Sequence, residues 1–91
     1  MDYDKETIKK EIYGKLTKYA ECPLSIQVFR FEYIYDSYIS RMNNETDKKT
    51  QEGIKNVMTI LTALKEIMIE INYDKENQTL EIPQSIHIQK K

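Results

Sequence analysis

The stretch VFRFEYIYDSYI, residues 28 to 39, decides the fold. Five of the nine aromatic residues of the chain, Phe29, Phe31, Tyr33, Tyr35 and Tyr38, fall within ten positions here. Two templates compete for it. As a strand, Phe29, Phe31, Tyr33 and Tyr35 form one face and Val28, Arg30, Glu32 and Ile34 the other, a pattern of good β-propensity that stops at Tyr35. As a helix, Leu24, Val28, Phe31, Tyr35, Tyr38 and Met42 recur at spacings of 4, 3, 4, 3 and 4 with Ile39 beside them, uninterrupted by Gly, Pro or Asn. The helical pattern accounts for more residues and predicts a helix over about 24–42.

Such a helix has a second apolar side. At about 100° per residue, Ile26, Phe29 and Tyr33 cluster opposite the heptad stripe, and few charges separate the two. A helix resting on one core needs one stripe, so the other must face a further part of the chain, a second copy or another protein. Tyrosine suits such contacts because its ring buries area while its hydroxyl stays satisfied by water or by the partner. Ile26, Phe29 and Tyr33 are therefore the candidate partner-binding residues.

On the N-terminal side, Asp4 is a candidate N-cap, with Tyr3 and Ile8 placed as a hydrophobic staple, and Ile8, Ile12, Leu16 and Tyr19 recur at helical spacing. This predicts a first helix over about 4–21, ended by Pro23, whose preceding residue avoids the helical region. Gly14 inside it costs on the order of 1 kcal/mol against alanine, and close approach of another helix would explain its presence. On the C-terminal side, NNETDKK (43–49) is a polar break in which Thr46 or Asp47 can cap a third helix, about 47–71. Its stripe is Ile54, Val57, Leu61, Leu64, Met68 and Ile71, widened by Met58, Ile60 and Ile67. YDKENQ (73–78) reads as a turn, and Leu80/Ile82 and Ile86/Ile88 alternate with polar residues around Pro83, giving an extended or β-hairpin tail at 78–89. The expected fold is mainly α, a single three-helix domain spanning 1–91. The alternative is α+β, with 24–35 as a strand and 67–89 as a meander.

Composition bounds the function. Fourteen basic and fifteen acidic residues leave a net charge of −1, which supplies no global field for nucleic acid or an anionic membrane. No run approaches the roughly 20 apolar residues that span a bilayer, and the acidic opening MDYDKETIKK lacks a signal-peptide core, so a cytoplasmic location is expected. The excess of Lys, Ile, Asn and Tyr resembles products of AT-rich bacterial and phage genomes.

The chemical inventory is thin. One Cys, Cys22, and one His, His87, exclude an intrachain disulfide and a four-ligand zinc site within the chain. His87 sits between Ile86 and Ile88 as a solvent-facing tail residue, and Cys22 beside Pro23 reads as a small hydrophobe. The paired carboxylates Asp2/Asp4, Glu45/Asp47, Glu66/Glu70 and Asp74/Glu76 lie among lysines and polar groups, where nothing raises a carboxyl pKa for acid-base work. DKEN lacks the glycine and terminal glutamate of a calcium loop, and neither glycine lies in a phosphate-cradling motif. No catalytic residue, metal or cofactor is expected. Lys5, Lys9, Lys10, Lys15 and Lys18 are concentrated in the first helix, but they spread around it and interleave with Glu6 and Glu11, the pattern of a solvated surface. The expectation is a non-enzymatic protein-binding module, of inhibitor, adaptor or chaperone-like type, that docks the aromatic face onto a protein partner or a second copy. The alternative is a small nucleic-acid-binding regulator that uses those lysines.

Overall fold

The computed structural model describes residues 4–83 and contains three helices, α1 (Lys5–Thr17), α2 (Leu24–Asn43) and α3 (Gln51–Glu70). Residues 24–35 are helical throughout, so the strand alternative fails. Among the described residues the β-type pairing is a single antiparallel bridge, Asp74 with Thr79, rather than a meander.

Asp4 caps α1, its carboxylate accepting from the Thr7 N–H at 3.1 Å and from the Thr7 hydroxyl at 3.2 Å. The helix ends at Thr17, four residues short of the sequence expectation. Tyr19 and Ala20 donate to the carbonyls three residues back, Leu16 and Thr17, and this tighter winding turns the chain toward Pro23. Gln27 pins the turn by donating its side-chain amide to the carbonyls of Cys22 (2.6 Å) and Ala20 (3.2 Å). The staple partner Tyr3 lies outside the described residues.

α3 begins at Gln51 rather than near residue 47, and its cap is Thr50 instead of Thr46 or Asp47. Thr50 Oγ1 accepts from the Gly53 N–H at 3.0 Å and donates to the Asp47 carbonyl at 2.7 Å. The macrodipole gives a reason. A start at residue 47 would place Lys48 and Lys49 in the positively polarised first turn, whereas a start at Gln51 places Glu52 there. At the other end Asn72 takes a left-handed conformation (φ 52°), with Tyr73 N–H donating to the Met68 carbonyl and Asn72 N–H to that of Ile69. This is a Schellman closure with asparagine at the left-handed position.

Beyond it, Asp74 folds the 74–79 turn around its own carboxylate, which accepts from the backbone of Glu76 and Asn77 and from the Asn77 side chain. These donors hold the Asp74 carboxyl below its ordinary pKa, the side chain of Asn77 most of all. Leu80 and Ile82 then return to the core, tied by the Glu81 N–H to the Ile71 carbonyl at 2.6 Å. The Ile86, His87 and Ile88 part of the expected tail lies outside the described residues.

The core is one cluster drawn from all three helices and the returning segment, built on Ile12, Leu16, Phe31, Tyr38, Ile67 and Ile71. α1 and α3 run in parallel, clamped by Lys5 to Glu66 (3.0 Å) and by Lys9 to Glu66 (3.1 Å) and Glu70 (2.8 Å). The Cα trace measures 42 × 30 × 17 Å, and the shortest dimension leaves room for about two packed layers of helix at 8–10 Å spacing. A slab this thin leaves outer helix faces without a cover.

Gly14 is exposed, and a Cβ added there meets nothing within 4 Å, so close packing does not explain it. Gly14→Ala is expected to stabilise the domain by about 1 kcal/mol through backbone entropy alone. A rise in denaturant midpoint at unchanged slope checks this.

Candidate functional site

Four turns of α2 build the candidate surface. Val28, Phe31, Ile34 and Tyr38 point into the core. The same register sends Ile26, Phe29 and Tyr33 to the opposite side, where they are 41%, 60% and 60% exposed. The inward stripe differs slightly from the heptad expectation. Ile34 is buried on the flank facing α1, while Leu24 is exposed at the open end and Tyr35 and Met42 are half-buried.

Charge divides along the two flanks of this outer face. On the α1 flank, the Arg30 guanidinium carbon lies 4.9 Å from the ring centroid of Tyr19 and 5.0 Å from that of Tyr33. Further along the same seam, Arg41 (4.5 Å) and Lys15 (5.8 Å) lie over the Tyr38 ring, whose hydroxyl donates to Glu11. On the other flank, Glu32 and Asp36 border a cleft of about 290 Å³ with Phe31, Tyr35, Met68, Tyr73 and Lys75. Tyr73 spans it, its ring 4.8 Å from Phe31 and its hydroxyl donating to Glu32. Burial, and then the Glu32 carboxylate, push the Tyr73 phenol up to about 12. The phenol, held neutral, donates a hydrogen bond to the Glu32 carboxylate, and the pair clamps the segment after α3 onto α2.

A second apolar surface escaped the sequence reading. Ile54, Met58, Leu61 and Ile69 of α3 are 41–66% exposed, although Ile54 and Leu61 belong to the expected inward stripe. The core takes Leu64 and Ile71 of that stripe together with Ile60 and Ile67 from its expected widening, and adds Ala63, so the buried side is rotated toward α1. The α1 ion pairs reach α3 at Glu66 and Glu70, on one side of the helix, and leave the flank that carries Ile54, Met58, Leu61 and Ile69 exposed. The signal was present: apolar residues occupy more of the α3 circumference than one neighbouring helix can bury.

The five lysines of the nucleic-acid alternative are not brought together. Lys5 and Lys9 are spent on Glu66 and Glu70, while Lys10, Lys15 and Lys18 are exposed, Lys15 against Tyr38. Hydrogen bonding to Glu70 raises the Lys9 pKa above 10.5, and hydrogen bonds from Lys5 and Lys9 lower that of Glu66 below 4.5. The stabilising contributions of Lys9 and Tyr73, both raised, are complete below about pH 10 and are lost as pH rises through their folded-state values. Those of Glu66 and Asp74, both lowered, are present above the ordinary carboxylate range and are lost only in stronger acid. Denaturant midpoints are expected to hold from pH 6 to 9 and to fall between about pH 10 and 12, with a shallower fall in Tyr73→Phe.

Among the described residues no cluster of three or more His, Cys, Asp or Glu is placed to hold a metal ion, and no helix is long and apolar enough to cross a membrane. Cys22 is a half-buried free thiol. Comparison with protein-family models, with characterised proteins and with solved structures finds no match.

Proposed function

We propose that this chain is a non-enzymatic protein-binding module that works by docking the outer face of α2 onto a protein partner. One observation carries the reading: Phe29 and Tyr33, two large rings on one side of a well-packed helix, are each 60% exposed, and no described segment covers them. Isolated exposed apolar residues are ordinary, but two aromatic rings and an isoleucine within two turns form a contiguous patch. The face is also rigid, because the opposite side of the same helix, Val28, Phe31, Ile34 and Tyr38, is buried in the core. Rigid aromatic anchors lose little conformational entropy on binding. An inhibitor, an adaptor and a chaperone-like subunit all work in this way, and a second copy of the chain is an admissible partner. The composition and the lone Cys22 suit the reducing cytoplasm of an AT-rich bacterium or its phage.

The test compares the wild type with the double variant Phe29→Ser/Tyr33→Ser. Light scattering over a hundredfold concentration range reads self-association, and affinity capture from the cells that make the protein reads heterologous partners. The reading expects one of these associations in the wild type and its loss in the variant. A wild type that stays monomeric and recovers the same proteins as the variant would rule the face out.

A further inference from the structure

Resting on that reading, we infer that the partner segment is acidic along one border of its apolar stripe, and that Arg30, positioned by Tyr19 and Tyr33, receives its carboxylate. Three observations converge on this.

First, Arg30 is unsatisfied. It makes no ion pair or hydrogen bond with another described residue, and its Nε is buried without an acceptor. A guanidinium offers five N–H donors in its own plane, and ring contacts engage its faces rather than those donors. Contact with two rings also restrains a side chain that otherwise loses much rotamer freedom on binding. What this arrangement lacks is a planar acceptor, and because Nε is sealed from solvent, a docked carboxylate would take two parallel bonds from the two terminal NH2 groups.

Second, charge on α2 is segregated about the exposed apolar residues. Arg30 and Arg41 lie toward α1, where Lys15 of that helix and its C-cap residue Lys18 are also exposed. Glu32 and Asp36 lie toward the Tyr73 cleft. Of the acids near the α1 flank, Glu11 is engaged by the Tyr38 hydroxyl, which leaves Glu21 in the interhelical turn. A docked segment therefore meets a cationic border on one side only, and that border sets its orientation as well as its charge.

Third, the chemistry favours a protein over a nucleic acid. A phosphate track needs a run of free cations, and two of the five candidate lysines, Lys5 and Lys9, are already neutralised by α3. Ile26 and Phe29 beside Arg30 supply apolar area that an aliphatic or aromatic side chain of a peptide would fill.

A random 16-residue peptide display library, selected in parallel on the wild type, Arg30→Met, Arg30→Lys and Phe29→Ser/Tyr33→Ser, tests the inference, with folding of each variant checked by thermal melting. Wild-type selections are expected to enrich Asp and Glu at least threefold over the library, next to Leu, Ile or aromatic residues. Arg30→Met should abolish the acidic enrichment while the apolar enrichment persists, and Arg30→Lys should retain part of it. Apolar enrichment on the wild type without acidic enrichment would overturn the inference while leaving the docking reading in place. An absence of any enriched class, or enrichment that survives Phe29→Ser/Tyr33→Ser, would remove both. Anisotropy of a fluorescein-labelled 20-nucleotide oligo(dT) provides the remaining arm. Binding of it that is tighter than that of the best selected peptide and is lost in Arg30→Met would reassign the surface to nucleic acid and overturn the inference.

Discussion

Phe31→Ala is expected to lower the free energy of unfolding by about 4 kcal/mol, the range for deleting a fully buried ring. Phe31 is 1% exposed and touches both Tyr35 of its own helix and Tyr73 beyond α3, with ring centroids at 6.3 Å and 4.8 Å. Its removal opens a cavity where α2, α3 and the 73–78 turn meet. A domain of this size has a total stability on the order of 5–14 kcal/mol, so the variant should be marginal and its denaturant midpoint should fall steeply. Phe31→Leu keeps most of the volume and should cost about 1.5 kcal/mol or less. The ratio of the two losses separates cavity formation from the loss of a specific aromatic pair. Tyr73 leans on Phe31, so Phe31→Ala should also return the Tyr73 phenol toward 10, which absorbance titration reads directly.

The second large effect comes from one methyl group. Gly53→Ala is expected to cost about 3 kcal/mol, opposite in sign to Gly14→Ala although the chemical change is the same. A Cβ on Gly53 would sit 1.7 Å from the Asp47 carbonyl oxygen and 2.3 Å from its carbon, both of them backbone atoms. The 44–50 loop folds directly over the first turn of α3, and only a glycine there lets it approach. The loop must lift, and with it goes the Thr50 cap, whose hydroxyl bonds both Asp47 and Gly53. Paired denaturation curves of the two glycine variants check the opposite signs. Faster amide exchange at Thr50 and Gly53 should accompany the loss.

How much of this was legible in the sequence depends on the residue. Asp4 announced its cap, and Pro23 with the 4-3-4 spacing from Leu24 to Met42 set α2 to within one residue, because these are local signals with local consequences. The start of α3 was missed because three hydroxyl or carboxylate caps stand within five positions, Thr46, Asp47 and Thr50, and the choice falls to the two lysines between them and to Gly53. Gly53 itself gave no local sign, since its role depends on where the loop returns in space. The wheel of a single helix places Ile26, Phe29 and Tyr33 opposite the inward stripe, but whether another part of the chain covers them is settled only by the packing, which leaves them exposed. The exposure of Ile54, Met58, Leu61 and Ile69 did not follow from the wheel, because it depends on where the thirteen-residue α1 lies along α3. Arg30 is likewise silent, because one of its two ring partners, Tyr19, comes from the turn between α1 and α2.

The outer face of α2 is packed by no other described part of the chain, and the unfolding free energy of Phe29→Ser/Tyr33→Ser measures how far this holds. A loss below about 1.5 kcal/mol is expected, made up of the Arg30–Tyr33 contact and the partial burial of two rings. A loss above about 3 kcal/mol, approaching that of Phe31→Ala, would show that these rings are sealed within the fold and are not a docking face.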